Sequence, residues 1–157
     1  MKILGIDPGT ATTGFGVITK EQGKLSAIDY GVISTSKRLD MHLRLNIIFQ
    51  DLTDLIHHHK PNIIAVEKLY FVKNITTGIS VGQARGVVLL TAARADLTLL
   101  EFTPLQVKQA VTGYGQANKK QIQEMVTKIL KLPSLPQPDD AADALAIAIC
   151  ASSQTRI

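Results

Sequence analysis

The stretch Asn62-Ile63-Ile64-Ala65-Val66-Glu67 constrains this chain more than any other, because four consecutive apolar residues leave no polar face to turn toward water. A strand of that kind is buried on both sides, inside a sheet whose two faces are covered by helices. The preceding segment supplies such a helix. From about Leu39 to His59 the residues Leu43, Leu45, Ile47, Ile48, Leu52, Leu55 and Ile56 recur at helical spacing, and Pro61 stops the run. A helix that feeds a doubly buried strand is a crossover, which places the chain among α/β folds.

The chain opens with a second short apolar run, Ile3-Leu4-Gly5-Ile6, which ends at Asp7 and turns through Pro8-Gly9-Thr10. Thr13 to Ile18 reads as its hairpin partner and Leu25 to Ser34 as a third strand, so three antiparallel strands form a meander. After the strand at Ile63, Thr76 to Arg94 reads as a helix and Leu97 to Phe102 as a strand. Pro104 to Val111 and Lys119 to Leu130 read as helices across a Gly-rich turn, and a last helix runs from about Pro138 to Ser152. The order βββαβαβα predicts a mixed five-stranded sheet flanked by helices. With 157 residues, residues 1–157 are expected to form one domain burying about 70% of the unfolded surface. The segment Pro133 to Pro138 is too short for a boundary and is expected to set the angle at which the last helix begins.

Hydrophobic residues make up 45% of the chain without any apolar run of transmembrane length, and Met1-Lys2-Ile3 leads straight into a strand rather than a signal peptide. A soluble, cytoplasmic protein is expected. One cysteine, Cys150, excludes an internal disulfide or a Cys-rich zinc site and is expected to pack in a helix. The net charge of +4 suits a polyanionic partner without identifying one. His57-His58-His59 cannot converge on one ion, because consecutive helical residues point apart, and a solvated helix end is expected there. His42 has no motif around it.

The acids carry more information. Asp7 and Glu67 each close a strand, at the carboxyl edge where open α/β sheets hold their ligands. Asp140 and Asp143 stand at i and i+3, on one face of the first turn of the last helix. Alone, such aspartates cap a helix. Gathered with Asp7 and Glu67 they form a costly group of like charges, and a divalent cation removes that cost. Oxygen donors without His or Cys select a hard cation such as Mg²⁺. Two such ions about 4 Å apart activate water and stabilise a leaving oxygen, which implies phosphodiester hydrolysis.

Three motifs together, Gly5-Ile6-Asp7-Pro8-Gly9-Thr10, Val66-Glu67 ahead of an aromatic, and Asp140-Ala141-Ala142-Asp143-Ala144-Leu145, resemble those of the RuvC family of Holliday junction resolvases. The resemblance spans essentially the whole chain in order and spacing. It implies a ribonuclease H-like fold and a homodimer that makes paired, symmetric nicks in four-way DNA junctions during recombination and repair. It also implies one or two Mg²⁺ per subunit, with Mn²⁺ able to substitute, and a branch-migration complex of the RuvA and RuvB type as partner. Asp7, Glu67, Asp140 and Asp143 occupy the family's metal-binding catalytic positions. The position of Asp140 is a histidine in some relatives, so whether it is a direct ligand stays open.

The resemblance assigns further roles. Lys68, Tyr70, Phe71 and Lys73 lie where the family carries an aromatic near the crossover, and Tyr70 matches that place. An aromatic face stacking on a base is worth about 1–3 kcal/mol, and the lysines neutralise phosphates, whereas core packing is the alternative for the two rings. Lys108 and Lys119 flank the turn Thr112 to Asn118 and match lysines that contact DNA near the scissile phosphate, with Lys108 the stronger candidate for stabilising charge there. Lys119 and Lys120 open a helix, where cations oppose the dipole, and a phosphate role explains that placement. Gly78, Gly82 and Gly86 form a smooth stripe read as the dimer interface, with Val87, Leu90 and Ala93 as the apolar side packing on the chain's own sheet.

Two other families share parts of this pattern. An actin-like or sugar-kinase ATPase also begins with a strand-end aspartate and a Gly-Thr turn, but needs a second, duplicated domain and further phosphate loops. A YqgF-type RNA-processing nuclease shares Gly-Ile-Asp-Pro-Gly, and the Asp-rich last helix separates this chain from it. A non-catalytic junction-binding module would be expected to lack one of the four acids.

Overall fold

The structure is a computed structural model that describes residues 1–69 and 73–155. Strands β1 (Lys2–Asp7), β2 (Thr12–Glu21) and β3 (Lys24–Ser34) form the expected antiparallel meander. Helix α1 (Met41–His59) then crosses to β4 (Ile63–Glu67), which pairs parallel with β1, and α2 (Ile75–Arg94) crosses to β5 (Thr98–Phe102), parallel with β4. The sheet order is β3-β2-β1-β4-β5. Helices α3 (Pro104–Thr112), α4 (Lys119–Leu130) and α5 (Asp139–Gln154) follow. No helix among the described residues is long and apolar enough to cross a membrane.

The period-two alternation of strand side chains divides the core between the two faces. Leu4 and Ile6 of β1 and Ile64 and Val66 of β4 pack with Ile48 and Leu52 of α1 and Ala84 and Val88 of α2. Ile3 and Ala65 turn the other way and pack with α5 and with Val107, Val111 and Val126 of α3 and α4. Burying each Ile or Leu this completely stabilises the fold by about 1.5–3 kcal/mol. The same alternation carries Asp7 and Glu67 to the α5 face.

Helix α5 lies unusually close to the sheet because neither side interposes bulk. Its inner residues include Ala141, Ala142, Ala144, Ala148 and Ala151, all buried. On the sheet, a Cβ at Gly5 would collide with the Ala144 carbonyl, and one at Gly14 with the Asp140 carbonyl. Pro138 is the N-cap of α5, and no side-chain cap bond forms there. The aspartates of that first turn therefore have their oxygens free for other partners.

Two expectations need correction. Helix α2 turns Ala84, Val88, Thr91 and Ala92 inward with Val87 partly buried, while Leu90 is 56% exposed and Ala93 is exposed. Small or apolar residues surround this helix, so its periodicity leaves the rotation undetermined until the sheet contacts choose the row through Ala84 and Val88. His59 is buried rather than solvated, and its Nε2 lies 2.9 Å from Asp29 Oδ2 on β3. It stands three residues after buried Ile56 and so shares the inner face of α1. His57 and His58 are exposed, and Cys150 is buried as expected.

Candidate active site

β1 ends at Asp7 beside its partner Gly14, and β4 ends one residue past its pairing with β1, at Glu67. The close seat of α5 brings its first turn over these strand ends. One carboxylate oxygen each from Asp7, Asp140 and Asp143 falls within 4.8 Å of the others; the i, i+3 spacing accounts for Asp140 beside Asp143, and the seat of α5 over β1 for Asp7. Glu67 is outside that group. It lines the same cleft, a cavity of about 340 Å³, together with Asp7, Asp143, Lys108, Asn118 and Lys119. Pro104, Val107, Ile122 and Ile147 supply the cleft's apolar wall.

The far wall is set by two capping boxes. Thr103 with Gln106 starts α3, and Asn118 with Gln121 starts α4, which fixes where Lys108 and Lys119 leave their helices. Lys119 Nζ lies 3.2 Å from Asp139 Oδ2 and 3.6 Å from Asp143 Oδ2. Asp139 also accepts a 2.9 Å hydrogen bond from Gln123 Nε2. On the opposite side, Thr12 Oγ1 donates to Asp140 Oδ2 at 2.9 Å. That bond orients the carboxylate and leaves its second oxygen free.

Charge is crowded here. Burial, and then the neighbouring charges of Asp143, Glu67 and Asp140, push Asp7 from 3.8 up to about 7, with Lys119 opposing. Burial and Asp143 also raise Glu67 against the pull of Lys108. Burial raises Asp143 although Lys119 holds it down, and Asp140 and Asp139 raise it further. Burial draws the Lys119 ammonium down, but Asp143 and Asp139 outweigh it and the net shift is upward. Three converging carboxylate oxygens without nitrogen or sulfur donors fit a hard divalent cation, which would relieve this repulsion.

Other expected site residues are less central. Lys68, Lys73 and Lys120 are exposed and stand outside the lining of the cleft. Tyr70 and Phe71 lie outside the described residues. Gly78 is buried, whereas a side chain at Gly86 would meet nothing within 4 Å and one at Gly82 only Leu69, at 3.6 Å. The open stripe of α2 thus runs through Ile75, Ile79, Gly82, Gly86 and Leu90, of which Ile75 is 77% exposed. Sequence reasoning did not single out Thr12, Asp139, Gln123 or the ion pair of Arg85 with Glu101. Only Asp139 carried a signal, its adjacency to Asp140.

The sheet order, the covering helices and the acids at the carboxyl edge together define an α/β protein of ribonuclease H-like architecture. Comparison with known proteins narrows this. Residues 3–151 match the family model described as crossover junction endodeoxyribonuclease RuvC, and the chain belongs to that family. It is 58% identical to the crossover junction endodeoxyribonuclease RuvC of Syntrophomonas wolfei, over 96% of this chain and 87% of that one. It is 51% identical to that of Thermosipho melanesiensis, over 99% of each. Among solved structures it is similar to Thermus thermophilus RuvC in complex with a Holliday junction substrate. The TM-score is 0.91 and the identity 35%, covering 97% of this chain and 93% of the other.

Proposed function

We propose that this chain, acting in the cytoplasm as a single nuclease domain and a homodimer, resolves four-way DNA junctions by paired, symmetric, Mg²⁺-dependent nicks. The observation that carries the reading is the convergence of Asp7, Asp140 and Asp143 within 4.8 Å at the carboxyl edge of the sheet. A relative at 58% identity is a crossover junction endodeoxyribonuclease, and a similar structure holds a Holliday junction substrate.

Asp7, Asp140 and Asp143 would hold the cation, with Glu67, which lines the same cleft, completing the set. Bound there, Mg²⁺ or Mn²⁺ supplies Lewis-acid polarisation of the scissile phosphodiester and charge compensation for its leaving oxygen. Lys119, already paired with Asp139 and Asp143, offers an ammonium to an incoming phosphate, and Lys108 offers another from α3. Thr12 keeps Asp140 in one orientation while the substrate is bound. Exposed Lys68, Lys73 and Lys120 contribute charge to the DNA surface, and Tyr70 or Phe71 stacks at the crossover point. The open face of α2 through Gly82 and Gly86 packs on its copy in a second subunit, which spaces two clefts across one junction. A branch-migration complex of the RuvA and RuvB type would deliver such junctions.

The test incubates purified protein with a synthetic four-way junction, a linear duplex and an RNA–DNA hybrid, with Mg²⁺, Mn²⁺ or chelator. Symmetric nicks in the junction alone, dependent on metal, are the expected result. Glu67→Gln and Asp143→Asn should bind the junction and leave it intact. Full cleavage by either variant, or cleavage of the hybrid in preference to the junction, overturns the reading.

A further inference from the structure

We propose that Arg85 is the positioning residue for Glu67 and the element through which helix α2 acts on the acid cluster; the proposal rests on the resolvase reading above. Glu67 leaves β4 on the α5 face of the sheet, like Ile63 and Ala65. On β5, Glu101 stands opposite Val66 in the register, and buried Phe102 beside it faces α5, so Glu101 projects to the α2 face. Arg85 meets it there.

The Arg85 guanidinium does two things. Its Nη2 pairs with the Glu101 carboxylate, and its Nε donates to the main-chain carbonyl of Glu67 at 3.2 Å. The arginine side chain is 19% exposed and that of Glu101 35%, so solvent screens the contact only in part. The Glu67 peptide needs such a hold. Pairing of β1 with β4 stops at Val66, which leaves Glu67 beyond that ladder and tied to β5 alone. A charge-assisted donor on the carbonyl fixes the peptide plane, and with it the direction in which the carboxylate leaves on the opposite face. A planar fork can engage both partners at once, while a lysine ammonium in its place would have to choose.

Arg85 stands on the same helix as Gly82 and Gly86, the open part of the α2 stripe, one residue before the second of them. A second subunit seated on that stripe sets the position of α2, and Arg85 passes that position to Glu67. Asp7, Asp140 and Asp143 have no comparable tie to α2 among the described contacts. Glu67 is thus the acid whose placement answers to subunit association.

The experiment compares full-length Arg85→Lys, Arg85→Ala and Glu101→Gln with the unmodified protein. Junction affinity is measured with chelator, single-turnover nicking at saturating junction with Mg²⁺, Mn²⁺ affinity without DNA, and mass by sedimentation. Both Arg85 variants should bind junctions within about twofold of normal as dimers, yet nick about 10- to 100-fold more slowly, the scale for a reacting group displaced by about 1 Å. Their Mn²⁺ affinity should fall several-fold. Glu101→Gln keeps the bond to the Glu67 carbonyl and should lose less than either. Nicking at the normal rate by Arg85→Lys, or a parallel loss of binding and nicking in every variant, overturns the role of Arg85 and leaves the resolvase reading standing. An unmodified protein that leaves junctions intact with Mg²⁺ fails the resolvase reading itself.

Discussion

Replacing Asp7 by asparagine is expected to abolish nicking and at the same time stabilise the metal-free protein. Asp7 is raised from 3.8 to about 7 by burial and by Asp143, Glu67 and Asp140. A shift of that size opposes the ionised form by roughly 4 kcal/mol, and water reaching the half-buried carboxylate reduces this to about 2–4 kcal/mol. The sign follows from proton counting. Between pH 3.8 and about 7 the folded state holds a proton on Asp7 that the unfolded chain has released, so stability falls as pH rises through that window and levels off above it. An asparagine side chain has no such proton to hold or release. The advantage of Asp7→Asn should therefore be negligible near pH 4, grow to pH 7 and stay constant at pH 8. Urea unfolding with chelator at pH 4, 6 and 8 measures it, and added Mg²⁺ should stabilise the unmodified protein far more than the variant. Equal stability of the two proteins at pH 8, or an advantage that shrinks as pH rises, refutes the reasoning.

Two further outcomes concern packing. Gly86→Leu places its side chain where nothing lies within 4 Å and gains up to about 1 kcal/mol of helix propensity, so the folded subunit should be intact. It should sediment as a monomer, and an unchanged dimer would remove the α2 stripe from the interface. Gly5→Ala drives a methyl into the Ala144 carbonyl and should lower stability by about 1–3 kcal/mol in urea while slowing nicking, because α5 must lift and take Asp140 and Asp143 with it.

Some of this was legible in the residues alone. The doubly buried strand at Ile63–Val66 pointed to the crossover, and the i, i+3 spacing put Asp140 and Asp143 on one face, because both patterns depend on short-range geometry; Asp7 joins that pair only through the tertiary arrangement, and Glu67 stays outside the group. The partners of those acids were not legible. Thr12 reaches Asp140, and Arg85 reaches both Glu67 and Glu101, only through the tertiary arrangement, and nothing local in Thr12 or Arg85 distinguishes them from other polar surface residues. The rotation of α2 was hidden for a related reason. When small and apolar residues surround a helix, the sheet beneath decides which row is buried, and Leu90 and Ala93 went outward.

The seat of α5 against Gly5 and Gly14 also ties early residues of the chain to late ones. Thr12 and Asp140 are 128 positions apart in the chain, and the acid cluster spans a similar distance. Contacts of that range close long loops, and a fold built on them is reached more slowly than one built on local contacts. Asp140 and Asp143 lie 133 and 136 positions after Asp7, so a chain synthesised only as far as α4 holds Asp7 and Glu67 without the two aspartates that complete the group. The acid group is therefore complete only when α5 is made and seated on the sheet.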